Sequence, residues 1–162
     1  VRAGVHPARL LSPGLVHALS FCMSLERFCR KQVATALATE TVQAAAERMT
    51  QQHVGALVIV DDTGRPVGVL TDRDIVCRVL NERRDPGATP IQEVMSADPV
   101  VARDSDRIDE VAFTMHQKGV RRVPVVDASG KAVGLVSLDD LLVLFASELG
   151  QTAAAVRMNR GP

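Results

Sequence analysis

A shift of 66 residues lays this chain on itself without a gap. Residues 33–75 fall on residues 99–141, and eleven of the 43 pairs are identical. Ala36, Ala46, Met49, Gln51, Val54, Val60, Asp61, Gly64, Val67, Gly68 and Asp74 each meet their own kind. About a third of the other pairs exchange one aliphatic residue for another, or Thr for Ser. Whatever one copy forms the other must form too, and the two must share a core, because a unit this short buries too little surface alone.

The pattern inside one copy predicts the order strand, helix, strand, strand, helix. A short extended piece comes first, over 33–36 and 99–102. Thr39 or Thr41 in the first copy, and Ser105 in the second, are suited to cap the helix that follows. Apolar residues then recur at helical spacing: Val42, Ala45, Ala46 and Met49, matched by Ile108, Val111, Ala112 and Met115. The matching of Met49 with Met115 favours packing. Aliphatic runs over 56–60 and 123–126 read as strands covered on both faces. The turns Asp61-Asp62-Thr63-Gly64 and Asp127-Ala128-Ser129-Gly130 lead into second strands over 67–70 and 133–136. Thr71 and Ser137 open the last helices, expected over 72–80, with Cys77 on the apolar face, and over 138–149, with Gly150 ending the latter. Between the copies, Thr89-Pro90-Ile91-Gln92 has the form of a capping box and predicts a short connector helix through Met95.

Residues 1–22 carry a mildly apolar stretch broken by Pro13 and Gly14, and a secretory signal is not supported. They are expected to be poorly ordered or loosely packed, with Met23 opening a more ordinary N-terminus. The divisions that follow are a disordered or non-native leader over 1–27, a first unit over 28–82, a connector over 83–95, a second unit over 96–149 and a frayed tail over 150–162.

Composition narrows the functions. Nineteen Lys plus Arg balance nineteen Asp plus Glu, so no overall field draws the chain to nucleic acid or an anionic membrane. Aromatic residues are 2%, too few for base-stacking platforms. Three cysteines without a CxxC and four scattered histidines predict neither a zinc site nor a disulfide framework. Free thiols point to a reducing, cytoplasmic setting. No P-loop, GxGxxG fingerprint or nucleophile–base pair speaks for an enzyme.

The segments HVGALVIV and GVRRVPVV, the turn Gly64-Arg65-Pro66-Val67-Gly68, and the runs GVLTDRD and GLVSLDD at one spacing resemble the cystathionine β-synthase (CBS) domain. The resemblance covers residues 28–148. With LTDRDIV followed by DPGATPIQEVM, the chain is most similar to small stand-alone bacterial CBS pairs, including those of the hypoxic-response type. The family implies a mixed α/β (α+β) fold, two β-α-β-β-α units packed about a pseudo-two-fold axis as a Bateman module, and dimerisation through paired helices.

At Thr71-x-x-Asp74 and Ser137-x-x-Asp140 a strand ends where a helix begins, so backbone N–H groups point outward at the positive helix end. The hydroxyl and the carboxylate one turn on could face a sugar, since a carboxylate can accept from both hydroxyls of a ribose diol. The same spacing also makes an ordinary helix cap. The resemblance implies that Asp74 and Asp140 hold ribose. Arg121-Arg122, before Val123-Pro124 at the mouth of a buried strand, are candidate phosphate ligands, because guanidinium forks suit phosphate oxygens. Their counterparts Gly55 and Ala56 carry no charge, but a glycine lets backbone approach a flat base. One cleft is therefore expected to bind phosphate better than the other. Asp72 and Arg73 could add polar contacts. The function that follows is a non-catalytic sensor of an adenosyl effector (AMP, ADP or ATP, with NAD or S-adenosylmethionine as further choices), with no required cofactor and no metal. The expected partners are a second copy of the chain and an unidentified effector protein. The alternative is a ligand-free dimeric interaction scaffold.

Overall fold

The computed structural model describes Leu25 and residues 33–158. The first repeat supplies β1 (Thr35–Leu37), α1 (Val42–Gln52), β2 (Ala56–Val60), β3 (Pro66–Thr71) and α2 (Asp72–Ile75). The second supplies β5 (Ala102–Arg103), α3 (Ile108–Lys118), β6 (Arg122–Val126), β7 (Ala132–Ser137) and α4 (Leu138–Met158). Between them a 3-10 turn (Ile91–Glu93) leads into β4 (Ser96–Ala97), a strand with no signal in the sequence. One sheet has the order β1-β2-β3-β4 and the other β5-β6-β7. In both, a parallel pair is followed by an antiparallel hairpin, with Val58 opposite Val69 and its counterpart Pro124 opposite Leu135. This is the expected mixed architecture, with one order of elements in both copies.

Alternation along β2 explains the continuous apolar run. Leu57 and Ile59 enter a core with Val42, Ala45 and Met49 of α1. Val58, on the opposite face, is also fully buried, and β2 lies against β7 of the other sheet. Val123 and Val125 of β6 repeat the inward pair against Ile108, Val111 and Met115. Both hairpins turn alike. Asp61 Oδ1 accepts from the Thr63 hydroxyl and the backbone N–H groups of Thr63 and Arg65, and Asp127 does the same with Ser129 and Lys131. These bonds, led by the hydroxyl in each case, hold both carboxyls below the ordinary aspartate range. Gly64 and Gly130 close the turns at φ of 84° and 83°, where a side chain would be strained. The Gly64 carbonyl also accepts from Ala132 N–H at 2.9 Å, joining the two hairpins.

Several expectations are corrected by local chemistry. Thr41, not Thr39, caps α1, accepting from Ala44 N–H. Its counterpart at the start of α3 is Arg107, which makes no side-chain cap bond, and Ser105 is not the cap. The predicted capping box at Thr89 does not form. The Thr89 hydroxyl donates to the Asp85 carbonyl, and the connector makes one 3-10 turn instead of a helix through Met95. After Ile75 the first-copy helix widens to π-helical spacing over Val76–Leu80. Val79 is buried and Ile75 partly so, which turns Cys77 away from the core, and its thiol is exposed. Gly150 does not end α4, which runs on through a helix-favouring, Ala-rich stretch to Met158.

The connector folds back on the first unit. Ile91 and Val94 are buried in the first core, and Ile91 N–H donates to the Glu40 carbonyl. Leu25 does the reciprocal thing. It is fully buried in the second core, and its N–H donates to the Asp106 carbonyl, the counterpart of Glu40. The rest of the predicted leader lies outside the described residues. Truncating Leu25 to Ala should cost about 2–4 kcal/mol in urea unfolding, as for a fully buried leucine. A loss near zero would mark the segment as loosely attached.

Candidate functional site

The strand-to-helix junctions are built alike. At the first, Asp74 Oδ2 accepts from the Thr71 N–H at 2.9 Å and the Thr71 hydroxyl at 2.6 Å, and Asp74 N–H returns a bond of 3.2 Å to Thr71 Oγ1. At the second, Asp140 Oδ2 accepts from the Ser137 N–H at 2.9 Å and the Ser137 hydroxyl at 2.6 Å, with 3.1 Å for the return bond. Each is a reciprocal cap of the kind that starts helices. The next N–H groups are also taken: Asp72 N–H donates to the Gly55 carbonyl and Leu138 N–H to the Arg121 carbonyl. Little of either helix end is left to hold an anion. What the cap leaves at each junction is the second carboxylate oxygen, Oδ1.

A cleft of about 220 Å³ opens between the repeats, lined from the first copy by Val33, Ala34, His53, Val54, Gly55 and Ala56 and from the second by Arg122, Leu135, Ser137 and Asp140. Five of the nine sequence-predicted site residues meet here: Gly55, Ala56, Arg122, Ser137 and Asp140. Thr71 and Asp74 do not line this cleft. Pro124 is buried within β6, and Arg121 is an exposed surface residue paired with Asp139 at 3.3 Å. Asp72 is exposed, accepting from Arg73 N–H, and lies close to Gly55.

The cation of the cleft is Arg122, opposite Ser137 in the β6–β7 ladder. It is half-buried, and among the described residues no carboxylate lies within ion-pair distance of it. A β-carbon at Gly55 would stand 3.1 Å from Asp72 Oδ2 and 4.0 Å from Arg122 Nη2, so the missing side chain is what allows this close approach. His53, absent from the sequence-based candidates, ends α1 in the left-handed region at φ 52°, where Gly119 stands in the second copy. That helix-terminal role was hidden because histidine gives no signal for it. Leu135 and Ala34 carry no chemical signature and enter through topology alone. Among the described residues no group of three His, Cys, Asp or Glu is placed to hold a metal, and no helix is long and apolar enough to cross a membrane.

The fold and the two matched junctions define a tandem repeat of one small regulatory domain. The CBS domain family matches residues 25–81 and 91–147, and the chain belongs to that family. The CBS domain-containing protein YhcV of Bacillus subtilis is 42% identical over 112 residues, which are 69% of this chain and 78% of that protein. The chain spans 61% and 60% of the length of two further curated relatives, from Methanopyrus kandleri and Acidianus ambivalens. The CBS domain pair of protein MJ0100, solved with 5′-methylthioadenosine and S-adenosyl-L-methionine, superposes with a TM-score of 0.69 at 28% identity, covering 77% of this chain and 97% of that one. A CBS domain protein of Pyrobaculum aerophilum complexed with AMP gives 0.67 at 25% identity, covering 77% and 99%. Hypoxic Response Protein I, solved with two coordinated zinc ions, gives 0.65 at 32%, covering 74% and 96%.

The two junctions differ in what surrounds Oδ1. Arg78 Nη2 lies 3.3 Å from Asp74 Oδ1, and the Asp74 side chain is 15% exposed. Among the described residues no basic side chain pairs with Asp140, which is exposed. Without ligand, Asp74→Ala should therefore lower stability by about 1–2 kcal/mol in urea unfolding, the loss of a cap and of a partly buried ion pair. Asp140→Ala should cost about 0.5–1 kcal/mol, the cap alone. Equal losses would mean that the Arg78 pair contributes nothing.

Proposed function

We propose that this chain is a non-catalytic sensor module that holds an adenosyl ligand in the cleft between its repeats. The observation that carries the reading is the unpaired, half-buried Arg122 guanidinium facing the same cleft as the Ser137–Asp140 junction. In this arrangement Asp140 Oδ1 accepts from the ribose hydroxyls, since Oδ2 is spent on the cap. Arg122 meets the phosphate or other anionic end. The backbone at Gly55 and Ala56 lies against the purine. The neighbours that carry AMP, or methylthioadenosine and S-adenosylmethionine, support the ligand class and leave its member open. Binding would select the arrangement of repeats that closes this cleft.

The test is a thermal-shift and calorimetric series with AMP, ADP, ATP, NADH, S-adenosylmethionine and methylthioadenosine. At a hundredfold excess over Kd, a ligand specific for the folded state adds about 2.7 kcal/mol and raises the melting temperature. Asp140→Ala should weaken every ribose-bearing ligand. Arg122→Ala should weaken AMP about tenfold or more, the worth of a charge-assisted contact, and leave the phosphate-free methylthioadenosine nearly unchanged. If none of these compounds shifts the melt, the chain is instead the ligand-free scaffold.

The second part of the proposal is a homodimer, with an effector protein reading its liganded form. Val76, Leu80, Phe113, Leu142 and Val143 are all more than half exposed on helices. Val76 also lines a groove of about 580 Å³ along α1 and α2. Both repeats present such a face, so a second copy of the chain can cover the two together. Sedimentation at ~50 µM should give a dimer, since a contact of this kind is expected to hold at micromolar Kd. Leu142→Glu should shift it to monomer, and a wild-type monomer at that concentration would remove the dimer.

A further inference from the structure

The two junctions share a motif but not an electrostatic state, and beside the Arg122–Ala56 difference on the neighbouring strand a second one lies outside the motif. Position 78, one turn after Asp74, is Arg; the corresponding position 144, one turn after Asp140, is Leu. In both copies the cap uses Oδ2 of the carboxylate twice over, which fills its two lone pairs. Oδ1 alone is left for an incoming hydroxyl. At Asp140 it is open. At Asp74 it faces Arg78 Nη2 at 3.3 Å.

Arg78 is also anchored from the other side. Its Nη1 donates to the Val94 carbonyl at 2.7 Å, and the guanidinium spans Ser96 Oγ at 3.3–3.4 Å. Val94 is buried in the first core, and Ser96 belongs to β4, which pairs with β3 at Val69. The guanidinium therefore ties the first-copy helix to the connector while occupying the first-copy carboxylate. A sugar hydroxyl at Asp74 would have to break an ion pair and loosen a cation held at three points.

We infer that Arg78 is the residue that limits this chain to one adenosyl ligand: it is a built-in counter-ion that closes the Thr71–Asp74 junction, leaving the Ser137–Asp140 cleft as the working site. The inference rests on the adenosyl reading above. It assigns to Arg78 a specificity role that neither the repeat motif nor the capping residues carry.

The experiment is calorimetric titration of the full-length protein with AMP, comparing wild type with Arg78→Leu, which installs the second copy's residue, and with Arg78→Gln, which removes the charge while keeping a donor toward Val94. Thermal melts verify that each variant is folded. The expected stoichiometry is about one AMP per chain for wild type and about two for either variant, with the added site lost again when Asp74→Ala is combined with Arg78→Leu. A folded variant still binding one AMP overturns the role of Arg78 while leaving the adenosyl reading intact. Two AMP per wild-type chain overturn it as well. If wild type and both variants bind no AMP, S-adenosylmethionine or methylthioadenosine, the adenosyl reading falls and this inference with it.

Discussion

Leu25 and Ile91 stand at corresponding positions ahead of the two repeats, and each is buried in the core of the other. Their backbone N–H groups donate to corresponding carbonyls, Asp106 and Glu40. This exchange is the constraint on which the remaining geometry depends. Each repeat lacks part of its own core and receives it from chain that precedes the other. A single copy would leave an unfilled space where Leu25 or Ile91 sits, and a cavity of that size in a small core is costly. It would also leave Val58 uncovered on the far face of its sheet. The two copies therefore fold as a pair, and the boundary between them in sequence is not the boundary in space.

The cleft is a consequence of that pairing. Residues just before β1, Val33 and Ala34, run alongside the end of β7 and the start of α4 because the repeats are held face to face. Symmetry of the backbone gives two equivalent junctions, yet the side chains around them obey no such symmetry. The β6 cation Arg122 has Ala56 as its counterpart, and Arg78 has Leu144. Duplication thus supplied two scaffolds for one chemistry, and substitutions one turn or one strand away decide which scaffold has an open carboxylate and a free cation. Such substitutions cost the fold little, since a charged pair at a partly exposed helix surface contributes only modestly to stability.

Much of this was legible before any coordinates, because a repeat states its signal twice. The strands at 56–60 and 123–126, the two turns and the Thr/Ser-x-x-Asp junctions could be placed by matching one copy against the other. What failed was local. Thr89 has the spacing of a cap, but the Asp85 carbonyl lies within reach of its hydroxyl and wins. Ser105 is displaced because the start of α3 falls at Arg107. Gly150 sits among helix formers, so its backbone cost is offset by neighbours. Cys77 falls off the inward face, which Ile75 and Val79 define once the helix widens to π spacing. Of the site residues, those with a chemical signature could be named from sequence. The separation of Arg122 from Arg121 could not, since adjacent residues on a strand point to opposite faces and only the register shows which enters the cleft.

For the proposed sensor role, a physical link between ligand and response lies in how few direct bonds join the two walls of the cleft among the described residues. The hairpins are joined by the Ala132 N–H to Gly64 carbonyl bond, and the β2–β7 contact is apolar and non-directional. Apolar contact tolerates small sliding, whereas a ligand touching both Gly55 and Asp140 fixes the distance between repeats through directional bonds. The differential binding energy available to a sensor is the difference between those bonds in the closed and in the relaxed spacing. Arg78 belongs to the same economy of contacts. It ties the first junction to the connector; if the proposed ligand binds at Asp140, the second repeat and its helix α4 are the part left freer to respond. The long face of α4, with Leu142 and Val143 exposed toward solvent, is then the surface on which a change at the cleft can be read by another molecule.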